Sequence, residues 1–343
     1  MIKVGIVGVG FMGKMHFNTY NAYKRCKVVA LADHDPRKLA GDWSTIGGNI
    51  ADKRAAQVDL SGLKLYSPPA ELFKDPEVDL VDITLPTFSH AKYAMAALEA
   101  GKHVICEKPM GLSLAECDRM IAAARAARRQ LFIAHCIRFW PDYKVLKQII
   151  ASGRYGKVLS ATFWRKSLTP TWSWDNWLLD AKRSGSAIVD LHIHDTDYIN
   201  YVFGMPQAVS SSGVVGAVSK GGVDAVVTHY IYPQGPHVVA EGTWALAPGF
   251  GFTHGFCVTL EKATVEMDCR SGKPLTVHPL KGKSITPKLP KDDGYVSELK
   301  HFVDCVAKGR GSDVVTPQDA RNALAVCLAE ERSVKTGRVV RTR

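Results

Sequence analysis

The stretch SGSAIVDLHIHDTDYINYVFG, residues 184–204, sets Asp190, His192, His194, Asp195 and Asp197 within eight positions. Imidazole titrates near neutrality and a carboxylate can orient it, so this pattern suits proton transfer to or from a substrate oxygen. On one continuous helix Asp190 and His194, four apart, share a face, as do His194 and Asp197, three apart; His192 points elsewhere. Metal ligation by the histidines and carboxylates competes, but HExxH spacing and a cysteine quartet are both missing, and no metal is expected. A polar helix start with no catalytic part is the third reading.

HVICEKPMG, residues 103–111, is a second candidate. An apolar run reaches Lys108, and Pro109 behind it biases the lysine away from helical backbone. At the carboxyl edge of a parallel sheet, Lys108 could bond a substrate hydroxyl or a developing alkoxide, while Glu107 orients the lysine or a cofactor. A solvated surface turn is the alternative.

The glycine loop GVGFMG carries Gly8, Gly10 and Gly13 at G-x-G-x-x-G spacing, with Phe11 and Met12 inside it, directly after an apolar run. Gly8 permits the tight turn, Gly10 lets amides approach a pyrophosphate, and Gly13 allows close helix–strand packing, with the helix N-terminus facing phosphate charge. Asp33 stands twenty positions after Gly13, where a carboxylate accepts from the adenosine ribose. A nicotinamide dinucleotide is the expected cofactor, NAD ahead of NADP because a carboxylate repels a ribose phosphate; Arg37 and Lys38 keep NADP possible.

TPTWSWDNWLLD, from residue 169, brings Trp172, Trp174 and Trp177 up to the histidine run. Indole faces can stack on sugar rings, with Lys166, Asp175 and Asn176 for hydroxyls; packing at a junction or interface is the other reading. Arg138 and Tyr143 in RFWPDY either face substrate or pin the second domain.

These residues need elements to hold them. IKVGIVG, KVVALAD, VDLVDIT and HVIC read as strands, with helices at 90–101 and 112–130 and the short run LFIAH after them. Repeated strand–helix units imply a parallel sheet covered on both faces. Farther on, LSATFWRK, AVVTHYIY, HVVAEGTWAL, HGFCVTLEK and ATVEMDC read as an open, mostly antiparallel sheet. The expected class is α/β: a dinucleotide-binding domain at 1–125, then a substrate-binding and oligomerisation domain at 126–343. Residues 41–64, rich in glycine, are either a lobe over the cofactor or decorated surface.

At 343 residues the chain can bury a real core in each domain. Eight scattered cysteines fit reduced thiols, and neither a leader nor an 18-residue apolar run stands out, so a soluble cytoplasmic protein is expected. The net charge of +11 is spread among acids, which argues against a nucleic-acid partner and for steering an anionic cofactor.

Together GVGFMG with Asp33, LPTFSH at 85–90, AALEAGKHVICEKP at 96–109 and the D-x-x-x-H-x-x-D run from Asp190 resemble the glucose-fructose oxidoreductase / inositol dehydrogenase (Gfo/Idh/MocA) type of NAD(P)-dependent sugar oxidoreductases. The resemblance covers nearly the whole chain, although Ser184-Gly185-Ser186 stands where consecutive glycines are usual and 41–64 is longer than usual. It implies Lys108, Asp190 and His194 as the catalytic set: His194 the base, Lys108 holding the oxygen, Asp190 a partner to substrate or histidine. It adds Leu85, Pro86, His90 and Glu107 to the cofactor residues. It implies a C-terminal α/β domain whose broad sheet supports dimers or tetramers. The implied reaction is hydride transfer between nicotinamide C4 and a secondary alcohol or ketone carbon of a sugar, cyclic polyol or glycoside. Alternatives are an NADPH-dependent ketosugar reductase, a cofactor-retaining enzyme that oxidises and re-reduces its substrate, and a non-enzymatic dinucleotide sensor.

Overall fold

The computed structural model describes residues 1–48 and 56–342. Its first sheet has six parallel strands, β1 (Ile2–Val7), β2 (Cys26–Ala32), β3 (Lys64–Tyr66), β4 (Leu80–Ile83), β5 (His103–Glu107) and β6 (Leu131–Ala134). Their order is β3-β2-β1-β4-β5-β6. The chain reverses direction of travel across the sheet between β1 and β4, and that switch point is where an open α/β sheet holds its ligand. Strands β1, β4 and β5 are buried almost throughout, as apolar runs covered on both faces should be.

The helices of this region are α1 (Phe11–Asn21), α2 (Pro36–Leu39), α3 (Ala70–Lys74), α4 (Thr87–Glu99) and α5 (Leu114–Ala127). Ser113 and Glu116 cap α5 reciprocally, which sets its start at Leu114.

The second sheet has eight strands in the order β13-β12-β11-β7-β10-β9-β8-β14. They are β7 (Val158–Leu168), β8 (Ala208–Val215), β9 (Val223–Ile231), β10 (His237–Leu246), β11 (Thr253–Leu260), β12 (Ala263–Asp268), β13 (Lys273–Pro279) and β14 (Val340–Arg341). All neighbours are antiparallel except β7 and β10, so the mostly antiparallel expectation holds. Strands β3, β8, β13 and β14 are additions to the sequence reading.

Between and after these strands run α6 (Pro141–Ala151), α7 (Ala181–Ser184), α8 (Ser186–Asp190), α9 (Ile193–Phe203), α10 (Gly294–Ala307) and α11 (Pro317–Thr336). Helix α8 packs on β9 and β10, and α9 on β7. An aromatic cluster fills the layer beneath: Tyr143 meets Tyr198 at 4.9 Å and Phe256 at 5.2 Å between ring centroids.

The chain divides into two compact units, one of Met1–His135, Trp172–Asp175 and Tyr295–Arg321, the other of Cys136–Thr171, Asn176–Gly294 and Asn322–Arg343. The first therefore ends ten residues beyond the expected boundary at 125, because β6 pairs with β5 and completes the parallel sheet. It also takes back most of α10, where Phe302 stacks on Phe132 at 4.9 Å. Of the segment 41–64, residues 49–55 lie outside the described residues. Within the rest, Trp43 is buried edge-on to Phe17 of α1, and its indole N–H donates to the Lys38 carbonyl at 2.9 Å. Among the described residues no helix is long and apolar enough to cross a membrane.

Candidate active site

In the first unit the site begins at the turn between β1 and α1. Gly8 has φ +97°, a conformation glycine alone adopts without strain. A side chain at Gly13 would collide with the Gly8 carbonyl, whereas beyond Gly10 the space is open for 4 Å. Gly10 caps α1 with no side-chain hydrogen bond and no acid stands in the first turn, so Phe11, Met12 and Gly13 present a helix N-terminus fit for a pyrophosphate. Asp33, 3% exposed, ties this loop to the end of β2: its Oδ2 accepts from Val9 N–H at 2.7 Å and its Oδ1 from Asp35 N–H at 2.9 Å. Each carboxylate oxygen keeps a second lone pair for a ribose hydroxyl. Lys38 Nζ lies 3.7 Å from Oδ2. This set fits a dinucleotide.

Leu85 follows β4 and touches the Gly8 turn; Pro86 caps α4. His90 is buried with its two ring nitrogens 2.8 Å from the carbonyls of Leu85 and Pro109. It therefore ties the start of α4 to the Lys108 turn, and burial lowers its pKa.

Glu107 ends β5 and accepts from the Lys108 amide at 3.1 Å. Beneath it lies His16, a residue the sequence reading did not single out. The fully buried His16 ring bridges Asp82 (2.8 Å) and Glu107 (3.2 Å), and Tyr20 O–H donates to the same Asp82 oxygen at 2.8 Å. Burial opposes its charge, but the two carboxylates outweigh burial and push the imidazole pKa up to about 10. Burial likewise opposes ionisation of Glu107, yet His16 and Lys108 hold its carboxyl below the usual range. The lysine turn thus rests on a buried ion triad. Because folded His16 holds its proton to about pH 10 and unfolded His16 releases it near 6.5, the triad's contribution is complete below pH 6.5 and lost by pH 10. Denaturant titrations should show stability falling across that window, by at most about 1.4 kcal/mol per pH unit. His16→Gln should flatten the decline; equal slopes would remove His16 as its source.

In the second unit the run around His194 is not one helix. Helix α8 ends at Asp190, and α9 starts at Ile193 after a turn in which His194 N–H donates to Leu191 at 3.4 Å. From Ser186 to Asp197 every residue is buried except Asp190 and His194. The neighbouring acids serve α9 itself. Asp195 receives both arms of Arg165 from β7, at 2.8 and 3.1 Å, and Asp197 both arms of Arg138, at 2.8 and 2.7 Å. Burial opposes the Arg165 charge, but Asp195 outweighs it and raises the arginine's pKa. Arg138, expected against substrate, is 4% exposed and also lies over the Tyr201 ring at 4.4 Å; it is an anchor for α9. Tyr143 is wholly buried and accepts from Arg165 at 3.2 Å. His192 faces inward beside Tyr230 O–H at 3.2 Å, and burial, then Arg165, pull its pKa down to about 3. It stays neutral and cannot serve as the switching base.

Lys166 forms an ion pair with Glu241 at 2.7 Å. Of the tryptophans, Trp172 belongs to the first unit and packs on Gly47, while Trp177 packs on Leu178, Leu191 and Trp244 of the second.

Two family models match the sequence: an oxidoreductase family with an NAD-binding Rossmann fold over residues 2–135, and a GFO/IDH/MocA C-terminal domain over residues 143–266. The myo-inositol 2-dehydrogenase of Thermotoga maritima is 28% identical over 99% of this chain and 98% of its own. The trans-1,2-dihydrobenzene-1,2-diol dehydrogenase of Bos taurus is 32% identical over 78% and 81%. Among solved structures, a levoglucosan dehydrogenase complexed with NADH and levoglucosan superposes with TM-score 0.83 at 21% identity, covering 99% of both chains.

Proposed function

Since the chain belongs to the Gfo/Idh/MocA family of NAD(P)-binding oxidoreductases, we propose that it interconverts a secondary alcohol and a ketone on a sugar, cyclic polyol or glycoside. NAD(P) is its cofactor, and NAD is the preferred form because Asp33 places a carboxylate where a ribose phosphate would stand. NAD(P)-dependent oxidoreduction is the activity of the family; the sugar or polyol class, the alcohol carbon and the residue roles are our reading.

The observation that carries these roles is the selective exposure of Asp190 and His194 in an otherwise buried run. A proton-transfer residue must reach both substrate and a route for its proton, and the neighbouring Asp195 and Asp197 cannot. A nicotinamide dinucleotide held by the Gly8–Gly13 turn and Asp33 would supply the hydride acceptor. His194 takes the hydroxyl proton of the alcohol, so that the carbon bearing that oxygen can become a ketone; in the reverse direction it returns the proton to the oxygen. Lys108 donates a hydrogen bond to that oxygen and steadies its developing charge, and Glu107 fixes the lysine's backbone. Asp190 orients substrate or histidine. Arg138 and Arg165 act indirectly, by holding the helix that starts beside His194.

Incubating the purified protein with NAD and a panel of inositols, free sugars, anhydrosugars and glycosides should give NADH absorbance with at least one member. Conversion of a member to a redox-neutral product, such as an epimer or an elimination or hydrolysis product, without net NADH would replace net oxidation by internal recycling of the cofactor. No chemical change with any member, in either direction, would set aside the sugar and polyol class.

The same reading makes the protein a homo-oligomer. One face of the eight-stranded sheet is covered by α8 and α9, whereas the other displays Val227 at 45% exposure, with Glu241 and then Trp164 next to it across the strands. A second copy is the natural cover for such a face, as a dimer or tetramer. Sedimentation giving only monomer at micromolar concentration would remove this part.

A further inference from the structure

The segment Trp172–Asp175 lies far along the chain from the glycine loop, yet it is part of the first unit. Its Trp174 meets His34 with ring centroids 5.2 Å apart and planes at 64°. His34 directly follows Asp33, the ribose carboxylate, and its ring nitrogen is 3.4 Å from Asp33 Oδ1. Both rings are open to solvent: Trp174 is 56% exposed and the His34 side chain 62%. Trp172, two residues earlier, packs on Gly47, and Gly48 lies so close to Phe11 of the glycine loop that a side chain there would collide with the Phe11 ring. The described end of the 41–48 segment is thus anchored on one side to the loop that cradles the pyrophosphate and on the other to the tryptophan segment.

A nucleotide bound with its pyrophosphate at Gly10 and its ribose at Asp33 must send its base onward past His34. The base is flat, aromatic and mostly apolar on its faces, and it stacks on exposed aromatic rings. We propose that His34 and Trp174 form the seat of the cofactor's adenine, with Trp172 and residues 41–48 holding that seat in place. Trp174 then serves the cofactor rather than the sugar, and residues 41–48 serve the adenosine end. The glycine spacing and Asp33 locate pyrophosphate and ribose; nothing in that motif locates the base. This inference rests on the dinucleotide site and is independent of which alcohol is oxidised.

ADP-ribose, which carries the adenosine half without nicotinamide, is the probe. Its binding to the full-length protein, followed by calorimetry, should weaken about tenfold in Trp174→Ala and less in Trp174→Phe. Nicotinamide mononucleotide should bind the variant and the parent alike. ADP-ribose should also quench part of the tryptophan fluorescence of the parent, and that part should vanish in Trp174→Phe. Equal ADP-ribose affinity in Trp174→Ala and parent would overturn the adenine seat while leaving the dinucleotide site standing. A parent that does not bind ADP-ribose at all would overturn both.

Discussion

His194→Ala is expected to lower kcat by about 10²- to 10⁴-fold, the range that a positioned general base contributes. The loss should fall on the chemical step. In the proposed reaction His194 acts on the proton, whereas Gly8, Gly10, Gly13 and Asp33 are the residues that fit the dinucleotide. NADH affinity should therefore stay within a few fold of the parent, and the alkaline rise of the rate that reports ionisation of the base should disappear. Lys108→Met should also depress kcat, by about 10²- to 10³-fold as for other donors to a developing oxyanion, but it should leave that pH limb in place. Steady-state rates against pH for the parent and the two variants separate the roles. If His194→Ala keeps the parent's pH limb and more than a tenth of its kcat, another group takes the proton.

Arg165→Met should cost about 3–5 kcal/mol of folding stability, the typical loss when one member of a buried ion pair is removed. Arg165 and Asp195 have almost no exposed side-chain surface. Methionine roughly matches the arginine stem but leaves the Asp195 carboxylate buried without its fork. The double variant Arg165→Met/Asp195→Leu should recover most of the loss, because replacing both charges removes the desolvation penalty along with the attraction. Denaturant unfolding of the four proteins in this cycle measures the coupling directly. A single variant as stable as the parent would show that Arg165 is not the partner that holds Asp195. In whichever variant folds, kcat should still fall, because Asp195 opens the helix beside His194 and its anchor sets how that turn meets the substrate.

The parallel sheet could be read from the chain because its information is local. Apolar runs at residues 2–8, 27–33, 78–84 and 103–106 each became a strand, and Ser113 with Glu116 fixed the start of α5 three residues apart. The short strands β3 and β14 escaped, since three and two residues carry too little periodicity to stand out. His16 escaped for another reason: its partners Asp82 and Glu107 are 66 and 91 positions away. One local signal for a buried ion pair was available and went unread. Arg165 follows Phe163 at the inward parity of β7, and a charge on a buried face demands a partner.

The residues 190–197 show best where sequence ends and tertiary structure begins. By itself the sequence determined the dinucleotide-binding unit, the turn at Lys108 and the presence of an acid–histidine cluster, because glycine geometry, strand periodicity and residue chemistry act over a few neighbouring positions. Only the tertiary structure decided which members of that cluster remain accessible. It turned His192 inward beside Tyr230, committed Asp195 to Arg165 and Asp197 to Arg138, broke the helix after Asp190, and left Asp190 and His194 part-exposed. Those partners come from residues 30 to 59 positions away, and the cost of burying an unpaired charge made the selection: the parity of Arg165 on β7 signals that a partner is needed, but not which acid supplies it.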